Sequence, residues 1–221
     1  MIIDSKNWRN LLFDCANELK INLNKEQLEK FVIYAQELIQ WNKTFNLTKI
    51  TVPEEIAIKH FIDSLIVCLV LEDMNLSLLD VGSGAGFPGI PLSIVCPDLK
   101  ISLMDSSRKR VNFQKHILRQ LNIKSVQVFH KRFDLKNNIS DTYDIIVSRA
   151  FTNINKFVQT GNCLLNKNGT IICMKGKGSL AELDSLRQDN MFSIEIKKYI
   201  LPVINQSRYL VLIKNKTIIT T

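Results

Sequence analysis

Apolar positions follow a helical period through the first third of the chain and then gather into short runs separated by helical stretches. Leu28, Phe31, Val32, Ala35, Leu38 and Ile39 fall on one helix face, the spacing of an amphipathic helix packed on a core. Asn24 with Gln27 has capping-box spacing, as does Thr51 with Glu54, with Pro53 in the first turn. Three helices are therefore expected, at about 5–20, 24–41 and 52–72. The connector Trp41-Asn42-Lys43-Thr44-Phe45-Asn46-Leu47-Thr48 is too polar for a helix core, and its mixture of amides and aromatics is unusual for a linker.

From residue 77 the pattern alternates between strand and helix, the sign of a parallel sheet with crossover helices. The expected strands are 77–81, 100–105, 125–130, 143–148, 169–174, 192–200 and 207–214. The expected helices are about 89–96, 107–122, 153–165 and 179–189. The short connection from Pro202 to Gln206 suits a hairpin, which would turn the last strand antiparallel. The break at 73–77 divides a helical extension, 1–73, from a sheet domain, 74–221.

Composition narrows the class. No apolar run approaches the roughly 20 residues of a membrane span. Met1-Ile2-Ile3-Asp4-Ser5-Lys6 lacks the basic start and apolar core of a signal peptide. Cys15, Cys68, Cys96, Cys163 and Cys173 are scattered among apolar neighbours, with no CxxC; they read as reduced core residues of a cytoplasmic protein. The net charge of 29 − 21 = +8 favours a polyanionic partner such as nucleic acid. General lysine enrichment would give the same charge.

The strongest signal is Leu78-Leu79-Asp80-Val81-Gly82-Ser83-Gly84-Ala85-Gly86-Phe87-Pro88-Gly89, which holds four of the eight glycines. It reads as strand, glycine-rich turn and helix start, with Pro88 in the first helical turn. That unit binds nucleotide-like ligands at the carboxyl end of a strand. Two registers fit. Gly84-x-Gly86-x-x-Gly89, with Asp105 21 residues past Gly84, matches a dinucleotide fingerprint and leaves a NAD-binding protein open. Asp80-x-Gly82-x-Gly84-x-Gly86 starts directly at the strand end and is the form seen in class I S-adenosylmethionine methyltransferases. The second is favoured, because Gly82 follows the strand without a gap.

Asp105 closes the second strand, where a carboxylate can accept both hydroxyls of a ribose or cap the following helix. That helix is basic on one side, with Arg108, Lys109, Arg110, Lys115, His116 and Arg119. A solvated face and a phosphate-binding face read alike, but Arg108 to Arg110 lie near the strand ends. In a sheet of this type the turn after strand three borders an adenine pocket, where Phe133 could cover the ring and Asp134 accept from its amine; Asp134 reads equally as an ordinary loop acid. Strand four ends in Ser148-Arg149-Ala150-Phe151, without the Pro-Pro motif of amino-group methylases or a cysteine nucleophile in a recognisable motif. Arg149 offers a planar fork of donors. Met174-Lys175-Gly176-Lys177-Gly178 makes a small basic rim. His60 and Asp63, at i, i+3, suit an orienting pair beside the site; no second cluster completes a metal site, so no metal is expected.

Asp80 through Leu92, Asp105-Ser106 with Lys109-Arg110-Val111, and Ser148-Arg149-Ala150 resemble the RsmG (GidB) family. Trp41-Asn42-Lys43, Asn46-Leu47-Thr48 and His60-Phe61-Ile62-Asp63-Ser64 extend the resemblance over about residues 40–215. These are bacterial S-adenosylmethionine-dependent methyltransferases acting on N7 of a guanine in small-subunit ribosomal RNA. The resemblance implies a mostly parallel seven-stranded sheet with an antiparallel last strand. It implies that Gly82, Gly84, Gly86 and Phe87 border the cofactor, with Asp105, Ser106 and Ser107 at the ribose and Phe133 and Asp134 at the adenine. Arg149 would stand at the cofactor–substrate junction. The turn after strand three departs from the family's small residue followed by Glu. Arg149, Lys175 and His60 are the expected catalytic residues. Arg149, Lys175, the Arg108–Arg110 turn and the 42–48 loop are expected to grip RNA phosphate or orient the base. The expected partner is 16S ribosomal RNA or a small-subunit particle, met by a monomer.

Overall fold

The computed structural model describes residues 1–134, 141–149, 153–176, 183, 186 and 191–216. Two long helices open the chain: α1, Lys6–Glu18, with Ser5 accepting from the Trp8 amide, and α2, Lys25–Phe45. The expected Asn24–Gln27 capping box forms in both directions. The helix does not stop at residue 41. Trp41 through Phe45 stay helical, because Trp41 packs on Phe113 and His116 of a later helix while Lys43 and Thr44 face solvent. Asn46, in the left-handed conformation, ends the helix instead.

The third helical run, α3, changes its hydrogen-bond period along its length. It is α over Pro53–Glu55, π over Ile56–Ile62, α over Asp63–Leu65 and 3-10 over Ile66–Val70. The expected Thr51–Glu54 box does not form: the N-cap is Val52 without a side-chain cap, and Glu54 pairs with the amino terminus. The Trp8 indole donates to the Pro53 carbonyl and ties α1 to α3.

Seven strands follow: β1 Ser77–Val81, β2 Lys100–Asp105, β3 Gln127–His130, β4 Tyr143–Ser148, β5 Leu165–Gly176, β6 Phe192–Leu201 and β7 Gln206–Asn215. Between them lie α4 Gly89–Val95, α5 Arg108–Gln120 and α6 Ile154–Asn162. The sheet order is β3-β2-β1-β4-β5-β7-β6, and β7 alone among them runs opposite to the other six. The hairpin expected at Pro202–Gln206 joins β6 to β7. β5 starts earlier than expected and α6 ends earlier, since Leu165 pairs with Tyr143 before the register shifts to Thr170 opposite Ile145. The helix expected at 179–189 lies outside the described residues except for single positions.

The strands alternate as a buried sheet should. Leu78, Ile101, Leu103, Ile145 and Val147 face one core, shared without a break by α1, α2 and α3. Leu79, Val81, Met104 and Ile146 face the other, under Phe157 and Val158 of α6. The first three helices thus cover the sheet face behind the glycine-rich turn. Of the five cysteines, Cys163 is exposed and Cys68 only partly covered, so the expectation of five core cysteines fails there.

Candidate active site

The glycine-rich turn leaves the end of β1 as expected. Gly82, Gly84 and Gly86 have φ of +67°, +60° and +101°. The amides of Gly82 and Ser83 donate to the Met104 carbonyl (2.8 and 3.2 Å). From α5, the Gln114 side-chain amide donates to Ser83 Oγ (2.8 Å) and the Gly84 carbonyl (2.7 Å). A Cβ on Gly82 would meet nothing within 4 Å, so this turn has open space beside it. At Gly89 the reverse holds: a Cβ would sit 2.3 Å from Leu103 Cδ2. Glycine there lets α4 approach the strands, and its amide donates to Asp80 Oδ2 (2.8 Å). Pro88 is the N-cap of α4, one position before the first turn.

Asp80 is fully buried and its Oδ1 has no hydrogen-bond partner. Burial pushes its carboxyl up to about 7, against the pull of the Gly89 amide and the Arg149 charge.

A cleft of about 410 Å³ opens past the carboxyl ends of β1, β2 and β4, within the size range of small-molecule sites. Gly82, Met104 and Asp105 lie at its base, with Phe133 and Ser148 on its walls and Arg110, Lys131 and Lys156 around it. Asp105 is 3% exposed. Its Oδ2 accepts from the Gly84 amide and its Oδ1 from the Ser107 amide, both at 2.8 Å. Each oxygen keeps a second lone pair for a ribose hydroxyl. Ser106 is exposed in the cleft and Ser107 half-buried. The open space at Gly82, the braced carboxylate and the apolar wall fit a nucleoside-bearing cofactor. A second depression, about 380 Å³, lies near Leu76, Asp144 and Asn168 at the amino end of β1, away from the end where open α/β sheets bind ligands.

Two expected cofactor residues pack against the helical layer. Phe87 is buried and stacked between Tyr34 (5.3 Å, 12°) and His60 (4.3 Å, 4°), and does not line the cleft. A Cβ on Gly86 would collide with Ile90 and the Tyr34 hydroxyl, so this glycine serves the contact with α2. Phe133 does line the cleft, buried with its ring centre 5.6 Å from that of Phe157. Asp134 is half-buried beside it.

Arg149 is held from several sides. One terminal nitrogen donates to the Lys59 carbonyl (3.0 Å) and lies 3.5 Å from Asp63; the other donates to His60 Nδ1 (2.9 Å). Its guanidinium lies 5.6 Å from the Phe87 ring centre. Arginine is only a donor, so His60 Nδ1 must accept and the ring proton sits on Nε2. Nε2 lies 2.9 Å from Thr48 Oγ1 and donates to it; Thr48 Oγ1 also accepts from the Ile50 amide. Burial, reinforced by Arg149, lowers the His60 pKa to about 3 and keeps the ring neutral. His60 and Asp63 do not form the expected pair; each grips Arg149. Asp63 also accepts from the Tyr199 hydroxyl (3.1 Å) and faces Arg208 (3.7 Å). The 42–48 segment serves the same framework: Asn42 Oδ1 accepts from the Thr48 amide, Leu47 is buried, and Thr48 fixes His60.

Lys175 is half-buried at the end of β5, in a small space shared with Ser148 and Phe157. Lys177 and Gly178 lie outside the described residues. In the basic helix, Arg110 lines the cleft 3.5 Å from Asp105, Arg108 and Lys109 are exposed, and His116 pairs with Glu37 of α2 (2.6 Å). Tyr34, which the periodicity of α2 passed over, is fully buried and donates to the Ala85 carbonyl (2.5 Å). Its spacing from Phe31 and Leu38 was the available signal. No group of three or more His, Cys, Asp or Glu among the described residues is placed to hold a metal ion.

The family model described as GidB, rRNA small subunit methyltransferase G, matches residues 27–211. The chain belongs to the rRNA small subunit methyltransferase G family. A member from Geotalea uraniireducens is 40% identical over 211 residues, covering 93% of this chain and 96% of its own. One from Acetivibrio thermocellus is 40% identical over 174 residues, covering 77% and 72%. Among solved structures, a SAM-dependent methyltransferase from Aquifex aeolicus has a TM-score of 0.60 at 16% identity, over 76% of this chain and 97% of that one. An rRNA methylase from Streptococcus thermophilus has a TM-score of 0.51 at 13% identity, over 66% and 89%. These likenesses show the class I methyltransferase fold. For this GidB-family chain the cofactor is S-adenosylmethionine, which sets the dinucleotide register aside.

Proposed function

We propose that this GidB-family protein transfers a methyl group from S-adenosylmethionine to N7 of a guanine in 16S ribosomal RNA. Its relatives carry the name ribosomal RNA small subunit methyltransferase G. Asp105, with Ser106 and Ser107, would hold the ribose, and Gly82 and Phe133 the surface against which the nucleoside lies. The bound cofactor supplies an electrophilic sulfonium methyl.

One observation carries the choice of acceptor. His60, the histidine at the junction, is kept neutral with both ring nitrogens engaged, so it cannot serve as a base. Guanine N7 carries a free lone pair in the major groove and requires no deprotonation. A site that holds Arg149 rigidly and aligns its reactants suits that chemistry. Arg149, whose two terminal nitrogens are spent on Lys59, His60 and Asp63, acts as a fixed positive charge and positioning residue. Lys175, Arg108 and Lys109 supply the phosphate contacts. On this reading the protein works in the cytoplasm as a monomer, with residues 1–73 as a helical extension of the methyltransferase domain, 74–221.

The test is methyl transfer from radiolabelled S-adenosylmethionine to naked 16S ribosomal RNA and to small-subunit particles, followed by digestion to nucleosides. 7-Methylguanosine is expected. Label in any other nucleoside overturns the N7 assignment, and label in neither RNA substrate overturns the reading.

A further inference from the structure

Two thiols outside the cleft lie against each other. Cys68 is in the 3-10 end of α3, and Cys96 caps the carboxyl end of α4. Their Sγ atoms are 3.5 Å apart, although 28 residues separate them in the chain. A disulfide needs about 2.0 Å, so closure requires a movement of roughly 1.5 Å. Both cysteines sit at helix ends, where such a shift breaks little regular structure. Cys68 is partly exposed and gives a small oxidant access, while Cys96 is 6% exposed. The two sulfurs share a hydrogen bond, and whichever accepts it is the better placed to ionise.

We propose that Cys68 and Cys96 form a redox-modification site, which a peroxide converts into an intramolecular disulfide that weakens cofactor binding. One of the two sulfurs, as thiolate, attacks a peroxide oxygen; the O–O bond breaks, and hydroxide leaves and is protonated to water. The resulting sulfenic acid is then attacked by the other cysteine's sulfur, its hydroxyl departs with that thiol's proton as water, and the S–S bond forms. The two cysteines lose two electrons and the peroxide gains them.

The link to the cofactor runs through α4. Its seven residues begin at Gly89, whose amide binds Asp80, and its first turn is closed by the Ile90 amide donating to the Gly86 carbonyl. Pulling the far end of so short a helix toward α3 displaces the turn at 82–89. The inference requires cofactor binding and does not depend on guanine as the acceptor.

The purified full chain carrying Cys163→Ser, which removes the exposed thiol, is treated with hydrogen peroxide and digested without reduction. A peptide linking Cys68 to Cys96 is expected by mass spectrometry, together with loss of two hydrogens from the intact protein. S-adenosylhomocysteine binding should weaken at least about five-fold, the low end of couplings between sites, and dithiothreitol should restore it. The same treatment of a Cys68→Ser, Cys163→Ser protein should leave affinity unchanged. Sulfinic acid at either cysteine in place of the linked peptide overturns the site. A linked peptide with unchanged affinity overturns the coupling.

Discussion

The turn at 82–89 is gripped from two sides by different chemistry. On the cleft side the grip is polar: Asp105, Gln114 and the Met104 carbonyl take up its amides and carbonyls. On the helical side it is aromatic: Phe87 is clasped between Tyr34 and His60, and Phe61 packs on Tyr34. Hydrogen bonds fix direction within a fraction of an ångström, and they fall where the ligand must be met. Stacked rings contribute bulk burial, and they fall where the turn must be anchored to the core. The cleft side should therefore govern affinity and the helical side stability.

Phe87→Ala tests the aromatic side most severely. Loss of a buried ring costs about 3–5 kcal/mol of stability, readable by denaturant unfolding. A loss below about 1 kcal/mol would mean that the helical side is not the anchor.

The next effect is a pair of opposed pH slopes. His60 is held near pKa 3 when folded against 6.5 for the free ring, so its contribution is present above pH 6.5 and lost on acidification toward 3. Asp80 has the reverse sign: it is raised from 3.8 to about 7, so the folded state holds its proton longer and loses stability as pH rises through that window. The two slopes cancel between 3.8 and 6.5. His60→Gln, measured against wild type by unfolding at each pH, should gain relative stability toward acid by up to about 1.4 kcal/mol per pH unit. Asp80→Asn should show the opposite trend.

Asp105→Asn probes the polar side. Both carboxylate oxygens accept amide protons, so an amide group must turn an NH₂ toward one of them. Losing that charged acceptor costs about 1.5–3 kcal/mol, or about 10- to 100-fold in S-adenosylhomocysteine affinity by calorimetry. The smallest effect is Tyr34→Phe, which strands the Ala85 carbonyl at about 1–2 kcal/mol of stability and leaves the rings stacked. If Tyr34→Phe weakens the cofactor more than Asp105→Asn does, the division of labour is reversed.

The polar side was legible in the sequence because its parts are local. Gly82 follows β1 directly and Asp105 ends β2, so period and turn chemistry found both. The capping box at Asn24 and the antiparallel β7 were visible for the same reason. The aromatic side was not. Tyr34 meets Ala85 across 51 residues, and Arg149 meets His60 across 89, and neither pairing leaves a local trace. Phe87 was expected at the cofactor only through the family resemblance; the core behind it determines where its ring goes. The continuation of α2 through Trp41–Phe45 escaped a reading that weighed polarity without knowing that Phe113 would cover Trp41. The π-turns over Ile56–Ile62, which carry His60, depend on packing rather than on propensity.

The strand order has a consequence for how the chain is made. β6 lies at the sheet edge and β7, the later strand, lies between it and β5. A nascent chain ending at residue 205 has therefore completed β6 but has nothing to pair it with. β7 enters as a wedge between two segments already synthesised. Termination before β7 would remove an inner strand rather than trim an edge, leaving β5 and β6 with bare flanks. Synthesis of β7 is the step that joins β6 to the rest of the sheet.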